Sequence, residues 1–144
     1  IDLDGTLADS SHRSPFNADR ESILQDGVNS HVAKIMWQKW VCGDTIFFIT
    51  GRGSTQVEID ATITWLEGRV GIFTDSESSR SHLLTRKPGD YRDDAVVKLE
   101  LFNQHIRGKY NVTLVLDDRP KVVRMWQELG LPVLSNVDYS KGEF

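Results

Sequence analysis

Cysteine is nearly absent: Cys42 is the only one in 144 residues. This excludes an internal disulfide framework and suits a reducing cytoplasm, and beside Trp40 and Val41 the residue reads as a small buried hydrophobe. Long apolar runs are missing too. No stretch approaches the roughly twenty residues of a membrane span, and no signal-peptide pattern is visible, so a soluble, cytoplasmic protein with no membrane partner is expected. There is no basic excess either, since 17 Lys and Arg stand against 21 Asp and Glu for a net charge of −4. That argues against a broad surface tracking nucleic acid over many phosphates, but not against a partner engaged at one end. Repeats, low-complexity tracts and linkers rich in Pro, Gly or Ser are lacking, so one domain over 1–144 is expected.

Apolar strand patterns alternate with amphipathic helix patterns. Val32, Ile35, Met36 and Trp40 fall at helical spacing within 29–41. "TIFFIT" at 45–50 is a continuous apolar run, as expected of a strand covered on both faces. Thr55 and Glu58 form a capping box for a helix through Leu66. Weaker strands are read at Gly71 to Thr74 and His82 to Thr85. Ala95, Leu99, Phe102 and Ile106 define a helix from Asp93 to Arg107, capped by Asp93 or Asp94. The apolar strand "NVTLVLDD" follows, then a helix begun by Pro120 and stopped by Gly130, then a last strand in "LPVLS". The pattern predicts an α/β, Rossmann-like, mostly parallel sheet between helix layers. Only four residues precede Gly5, so the first strand is expected to be cut short, as in a fragment of a longer chain.

The polar signals sit at the carboxyl ends of these strands, where open α/β sheets bind ligands. Asp2 and Asp4 alternate with Leu3, so in an extended strand they point the same way. With Asp117 and Asp118 they make four hard oxygen ligands with no His or Cys beside them, a set that suits Mg²⁺ rather than zinc. Read alone, "LDD" is a strand-to-helix turn; joined to "DLDGT" it is a metal site. Facing the acids, "TGR" offers the Thr50 hydroxyl, backbone N–H groups and the Arg52 guanidinium, which are phosphoryl-oxygen donors. Carboxylates, Mg²⁺ and phosphate donors together make a phosphoryl-transfer site: one carboxylate attacks phosphorus, Asp4 moves the protons, and Lys98 supplies a further cation.

"DLDGT", "FFITGR", a downstream Lys and "LVLDD" resemble the four motifs of the haloacid dehalogenase superfamily, and the second Asp is that of its phosphatase branch. "LLTRKPGDYRDDAVVKLELFNQHI" and "LDDRPKVVRMWQELGL" are similar to the 3′-phosphatase domain of bacteriophage polynucleotide kinase-phosphatase, a family of end-healing repair enzymes. The resemblance implies Asp2 as nucleophile and Asp4 as general acid-base with its main-chain carbonyl on the metal. Asp117 and Asp118 then complete the Mg²⁺ site, one of them through water, and Thr50, Arg52 and Lys98 hold the phosphate. It also places Arg13, Arg86 and Arg119 near the substrate and sets Asp94 to orient Lys98 from one helical turn earlier. The implied activity is Mg²⁺-dependent removal of 3′-phosphates from DNA or RNA ends, in the host cytoplasm if phage-encoded. No G-x-x-x-x-G-K-[ST] occurs, so any kinase domain belongs to another part of the parent chain.

Two rival readings remain at this level. The four motifs alone also permit a phosphatase of small metabolites or mononucleotides. An idle module that binds phosphorylated ends is disfavoured because all four motif aspartates are present. The roughly forty residues between Asp4 and Thr50 hold about one helix and a loop, which predicts a small or absent cap and an open crevice.

Overall fold

The structure, a computed structural model, describes residues 1–14, 19–53, 55–72 and 79–136. The run at 45–50 forms β3 (Ile46–Thr50), paired in parallel with β4 (Ser81–Thr85) from Ile46 opposite Ser81 to Thr50 opposite Thr85. A second parallel pair joins β5 (Val115–Asp117) and β6 (Val133–Ser135). The first two residues knit these pairs together. Ile1 donates from its nitrogen to Phe47 O at 2.7 Å and accepts from Ile49 N at 3.0 Å, while Asp2 N donates to Leu116 O at 2.9 Å. The order across the sheet is therefore β6, β5, Ile1–Asp2, β3, β4, the α/β arrangement expected from the alternation of patterns.

Helices cover both faces. Phe48 packs with Leu3, Leu7, Met36 and Trp65, on the side of α2 (Ser30–Val41) and α3 (Gln56–Trp65). Its neighbour Ile49 points the other way, into Phe102, Ile106, Val122 and Trp126, on the side of α4 (Asp94–His105) and α5 (Pro120–Glu128). Such alternation is what a strand buried on both faces requires. The helix starts follow local chemistry. Thr55 and Glu58 form the capping box of α3 in both directions, Asp93 accepts from Ala95 N at α4, and Pro120 occupies the first turn of α5. Among the described residues no helix is long and apolar enough to cross a membrane.

Several expectations need correction. The segment between Asp4 and Thr50 holds more than one helix. A six-residue helix, α1 (Arg20–Gln25), packs on α3, and a two-stranded antiparallel ribbon joins β1 (Ala8–Asp9) to β2 (Gly27–Val28). Elements of two and six residues are too short to show a periodicity; the Asp19 side chain accepting from Ser22 N is the one local signal. Cys42 is exposed rather than buried, because it caps the end of α2 where the chain leaves the core. Gly71 and Ile72 are not a strand: α3 runs into a π turn, Leu66–Val70, and Gly71 closes it at φ +76°. The rest of that expected strand lies outside the described residues.

Candidate active site

β5 ends at Asp117, and the adjoining first residues bring Asp2 beside it. Between them stands Lys98, reaching in from α4 with its side chain 1% exposed. Its Nζ donates to Asp2 Oδ1 at 2.8 Å and Asp117 Oδ2 at 2.9 Å, and lies 3.4 Å from Asp94 Oδ2 one turn earlier on the same helix. Trp126 Nε1 and the Arg119 backbone N–H also donate to Asp117, each at 3.3 Å. Asp118 is held by the Thr6 hydroxyl at 3.0 Å. Carboxylate oxygens of Asp2, Asp117 and Asp118 all lie within 4.8 Å of one another.

Asp4 goes elsewhere. The chain leaves extended geometry at Leu3, whose carbonyl accepts from Thr6 N at 3.1 Å and Ala8 N at 2.8 Å, so Asp4 sits in a turn rather than in a strand with Asp2; Gly5 in that turn has φ +87°, and a Cβ there would fall 2.2 Å from Asp118 Oδ2. The Asp4 carboxylate instead receives Arg52 Nε at 3.1 and 3.0 Å, Arg52 Nη2 at 2.7 Å and Arg13 Nη2 at 2.6 Å. Both arginines also bind Asp26, Arg52 through Nη2 at 2.6 Å and Arg13 through Nε at 2.8 Å and Nη2 at 2.7 Å. Asp26 was missed by sequence reasoning: "QDGVN" after a short helix reads as a turn, and its partners are 13 and 26 residues away. It is fully buried, and its carbonyl accepts from Trp65 Nε1 at 2.9 Å. Arg52, sought as a phosphate donor, is thus committed to two carboxylates.

Asp94 is the hub of the outer ring, 3.1 Å from Arg86 Nη2 and 3.6 Å from Arg119 Nη1. Gly51 of the "TGR" turn lies against that pair, and a Cβ there would fall 2.5 Å from Asp94 Oδ1. Thr50 is buried, its hydroxyl oxygen accepting from Arg52 N at 3.1 Å. Arg13 Nη1 and Arg86 Nε are buried with no hydrogen-bond partner among the described residues.

The two halves of the site carry opposite electrostatics. Burial pushes Asp2 up to about 8; Asp117 and Asp118 add to the rise and Lys98 opposes it. Burial and Asp117 raise Asp118 as well. Burial opposes the charge on Lys98, but the attraction of Asp2, Asp117 and Asp94 prevails and keeps it protonated. Burial also acts to raise Asp4, yet Arg52 and Arg13 outweigh it and hold that carboxyl below its ordinary 3.8. A depressed folded pKa stabilises the fold fully above the unfolded value, and the contribution is lost as pH falls through the folded one. Thermal midpoints measured from pH 7 to pH 3 are therefore expected to fall more steeply below pH 4 in the wild type than in Asp4→Asn. Parallel curves would remove the Asp4 pairs from the acid response.

The arrangement offers buried carboxylates beside cationic donors, a set able to serve phosphoryl transfer. The family model described as the polynucleotide kinase PNKP phosphatase domain matches residues 1–144. The chain belongs to this family. Over 138 residues this PNKP-type phosphatase domain is 39% identical to a putative bifunctional polynucleotide kinase/RNA ligase of Autographa californica nuclear polyhedrosis virus, covering 94% of the chain and 18% of that protein. A chain in the structure of a Pnkp1/Rnl/Hen1 complex superposes with a TM-score of 0.81 at 36% identity, covering 95% of this chain and 44% of that one. A chain in the structure of the Pnkp1/Rnl/Hen1 RNA repair complex gives 0.79 at 35%, covering 95% and 42%. The phosphatase domain thus spans about a fifth of the viral relative and less than half of each solved chain.

Proposed function

We propose that the chain hydrolyses 3′-phosphates at polynucleotide ends, with Mg²⁺ as cofactor and an aspartyl-phosphate on Asp2 as intermediate. The observation that carries this reading is the buried Asp2 carboxylate, held by Lys98 beside Asp117 and Asp118 at converging strand ends. A carboxyl oxygen of Asp2 attacks phosphorus, the bond from phosphorus to the 3′ oxygen breaks, and Asp4 gives that oxygen its proton. Water then attacks the acyl phosphate and Asp4 takes a proton back, which frees phosphate and restores Asp2. Thr50, Arg52 and Lys98 hold the phosphoryl oxygens; Arg13, Arg86 and Arg119 face the rest of the strand. The buried N–H groups of Arg13 and Arg86 that have no acceptor among the described residues support a role in binding anions.

The donor set fits a hard divalent cation. Ionised together, Asp2, Asp94, Asp117 and Asp118 would set four negative charges against the three positive of Lys98, Arg86 and Arg119, a crowding that adds to the rise of Asp2. A phosphate dianion would deepen that deficit. The carboxylates of Asp2, Asp117 and Asp118 would hold Mg²⁺ with the main-chain carbonyl of Asp4, whose carboxylate is occupied by arginines. Bound there, the ion would offset charge on the transferring group.

The names of the relatives, a kinase/ligase and components of an RNA repair complex, support end healing as the setting and RNA ends as substrate, with kinase activity outside these residues and a viral host cytoplasm as the location. The test is phosphate release from a 3′-phosphorylated oligonucleotide, its 5′-phosphorylated counterpart, a 3′-mononucleotide and a sugar phosphate. The first is expected to react fastest, to stop on chelation, and to recover with Mg²⁺ but poorly with Ca²⁺. Equal rates on all four would leave a generic phosphatase, and full turnover with chelator would remove the metal.

A further inference from the structure

One aromatic ring stands almost wholly in water. Tyr91 is 94% exposed, the highest value among the exposed large apolar side chains described. It lies between β4 and the cap of α4, in a stretch, 86–92, where Arg86, Lys87 and Arg92 stand against Asp90 alone. In a chain of net charge −4 that stretch is locally basic. The exposure is not that of a loose loop. Arg86 Nη1 donates to Asp90 O at 2.9 Å and to Arg92 O at 3.3 Å, the carbonyls on either side of Tyr91. Asp90 N closes a turn on Lys87 O at 3.1 Å, and the Asp90 carboxylate accepts from Arg92 N at 3.1 Å and Arg92 Nε at 2.9 Å. Arg92 Nη2 reaches on to Glu100 of α4 at 2.7 Å.

The guanidinium that pins this loop also ties it to the reacting centre. Arg86 Nη2 meets Asp94 at 3.1 Å, and Asp94 lies 3.4 Å from the Lys98 ammonium that holds Asp2. Asp94 is three positions after Tyr91, a chain reach of at most about 11 Å. The ring therefore stands beside the mouth of the site, at a distance that a strand leaving the reacting phosphate covers in about two or three nucleotides, at ~3.4 Å of rise each. A protein partner would need a contiguous apolar patch, and along 86–96 Val96 is the one other large apolar side chain exposed among the described residues. A nucleobase needs a single ring face, with cations beside it for the phosphates.

We propose that Tyr91 is a stacking platform for a nucleobase close to the 3′ phosphate of an unpaired polynucleotide end, with Lys87 beside it for a phosphate of the strand. The strand is then held at two points, the reacting phosphate in the pocket and a base outside it. A base within a duplex has its faces taken by its neighbours, so the platform selects ends that are single-stranded. Any base can occupy it, because every base has a π face. The pinned backbone keeps the ring in place before the strand arrives, which spares the ordering cost that a loose loop would bear on binding. This inference rests on the polynucleotide reading and adds to it a subsite for a base.

The test measures kcat and KM for a short single-stranded oligonucleotide with a 3′ phosphate, for the same strand with abasic sites next to that end, and for p-nitrophenyl phosphate. Tyr91→Ala is expected to raise KM for the oligonucleotide about tenfold with kcat little changed, the scale of one lost base–ring stack. Selectivity for the oligonucleotide over p-nitrophenyl phosphate should fall by the same factor. Tyr91→Trp should restore it, whereas Tyr91→Leu, apolar but without a π face, should not. On the abasic strand the wild type and Tyr91→Ala should coincide. A KM for Tyr91→Ala within about twofold of wild type, full rescue by Tyr91→Leu, or an equal loss on the abasic strand would overturn the platform. Failure of the polynucleotide reading shows separately, as wild-type turnover with no preference for the oligonucleotide over p-nitrophenyl phosphate. In that event the fluorescence of 2-aminopurine in a 3′-hydroxyl oligonucleotide decides. Quenching by the wild type that Tyr91→Ala loses supports the platform, and no quenching overturns it.

Discussion

Asp2→Asn is expected to reduce phosphate release from a 3′-phosphorylated oligonucleotide by about 10⁴-fold or more, the scale on which breaking a covalent catalytic unit acts. The amide keeps the shape of the carboxyl and one acceptor for Lys98, so the lost quantity is nucleophilicity rather than packing. Stability should move the other way or not at all. Burial, with Asp117 and Asp118, disfavours the ionised form of Asp2, and a side chain that cannot ionise never bears that cost. Kinetics and a thermal melt on the same preparation make the check. Turnover within tenfold of wild type in a folded variant would end Asp2 as the attacking group.

The largest effect on the fold is expected at Asp26. Two guanidinium groups converge on this fully buried carboxylate. Removing one partner of a buried ion pair strands the others without compensation and costs about 3–5 kcal/mol. Asp26→Ala should therefore lower the midpoint by roughly 10 °C for a chain of this size, while Asp26→Asn, which keeps acceptors for both arginines, should lose less. Any activity that survives should show a higher KM, because Arg13 and Arg52 would close on Asp4 alone. A midpoint within 2 °C of wild type for the alanine variant would show that the arginines do not depend on Asp26.

The sequence made the framework legible wherever a period or a cap was long enough to read. The capping box of α3, the apolar stripe of α4 and the continuous run of β3 each repeat a local rule several times. The convergence of Asp2 and Asp117 followed from the strand ends that carry them, and Lys98 was reached from the helix read at 93–107 and the family's downstream Lys. Asp26 and the separation of Asp4 from Asp2 were not legible. One depends on side chains meeting across a loop and two helices, the other on a turn that begins at Leu3, between the two aspartates. Cys42 was misplaced for a related reason: its neighbours are apolar, but a helix end turns its last residue away from the face those neighbours pack on.

Arg52 and Arg13 bind the Asp4 carboxylate on several sides, and a carboxyl held below its ordinary range is a poor proton donor. On the proposed mechanism, the incoming phosphate competes for the same guanidinium groups, so its arrival is what loosens their grip on Asp4. The acid would then be armed by the substrate itself. On that mechanism an idle enzyme would keep its proton donor silent, and turnover would begin with an exchange of partners among arginines before any bond to phosphorus changes.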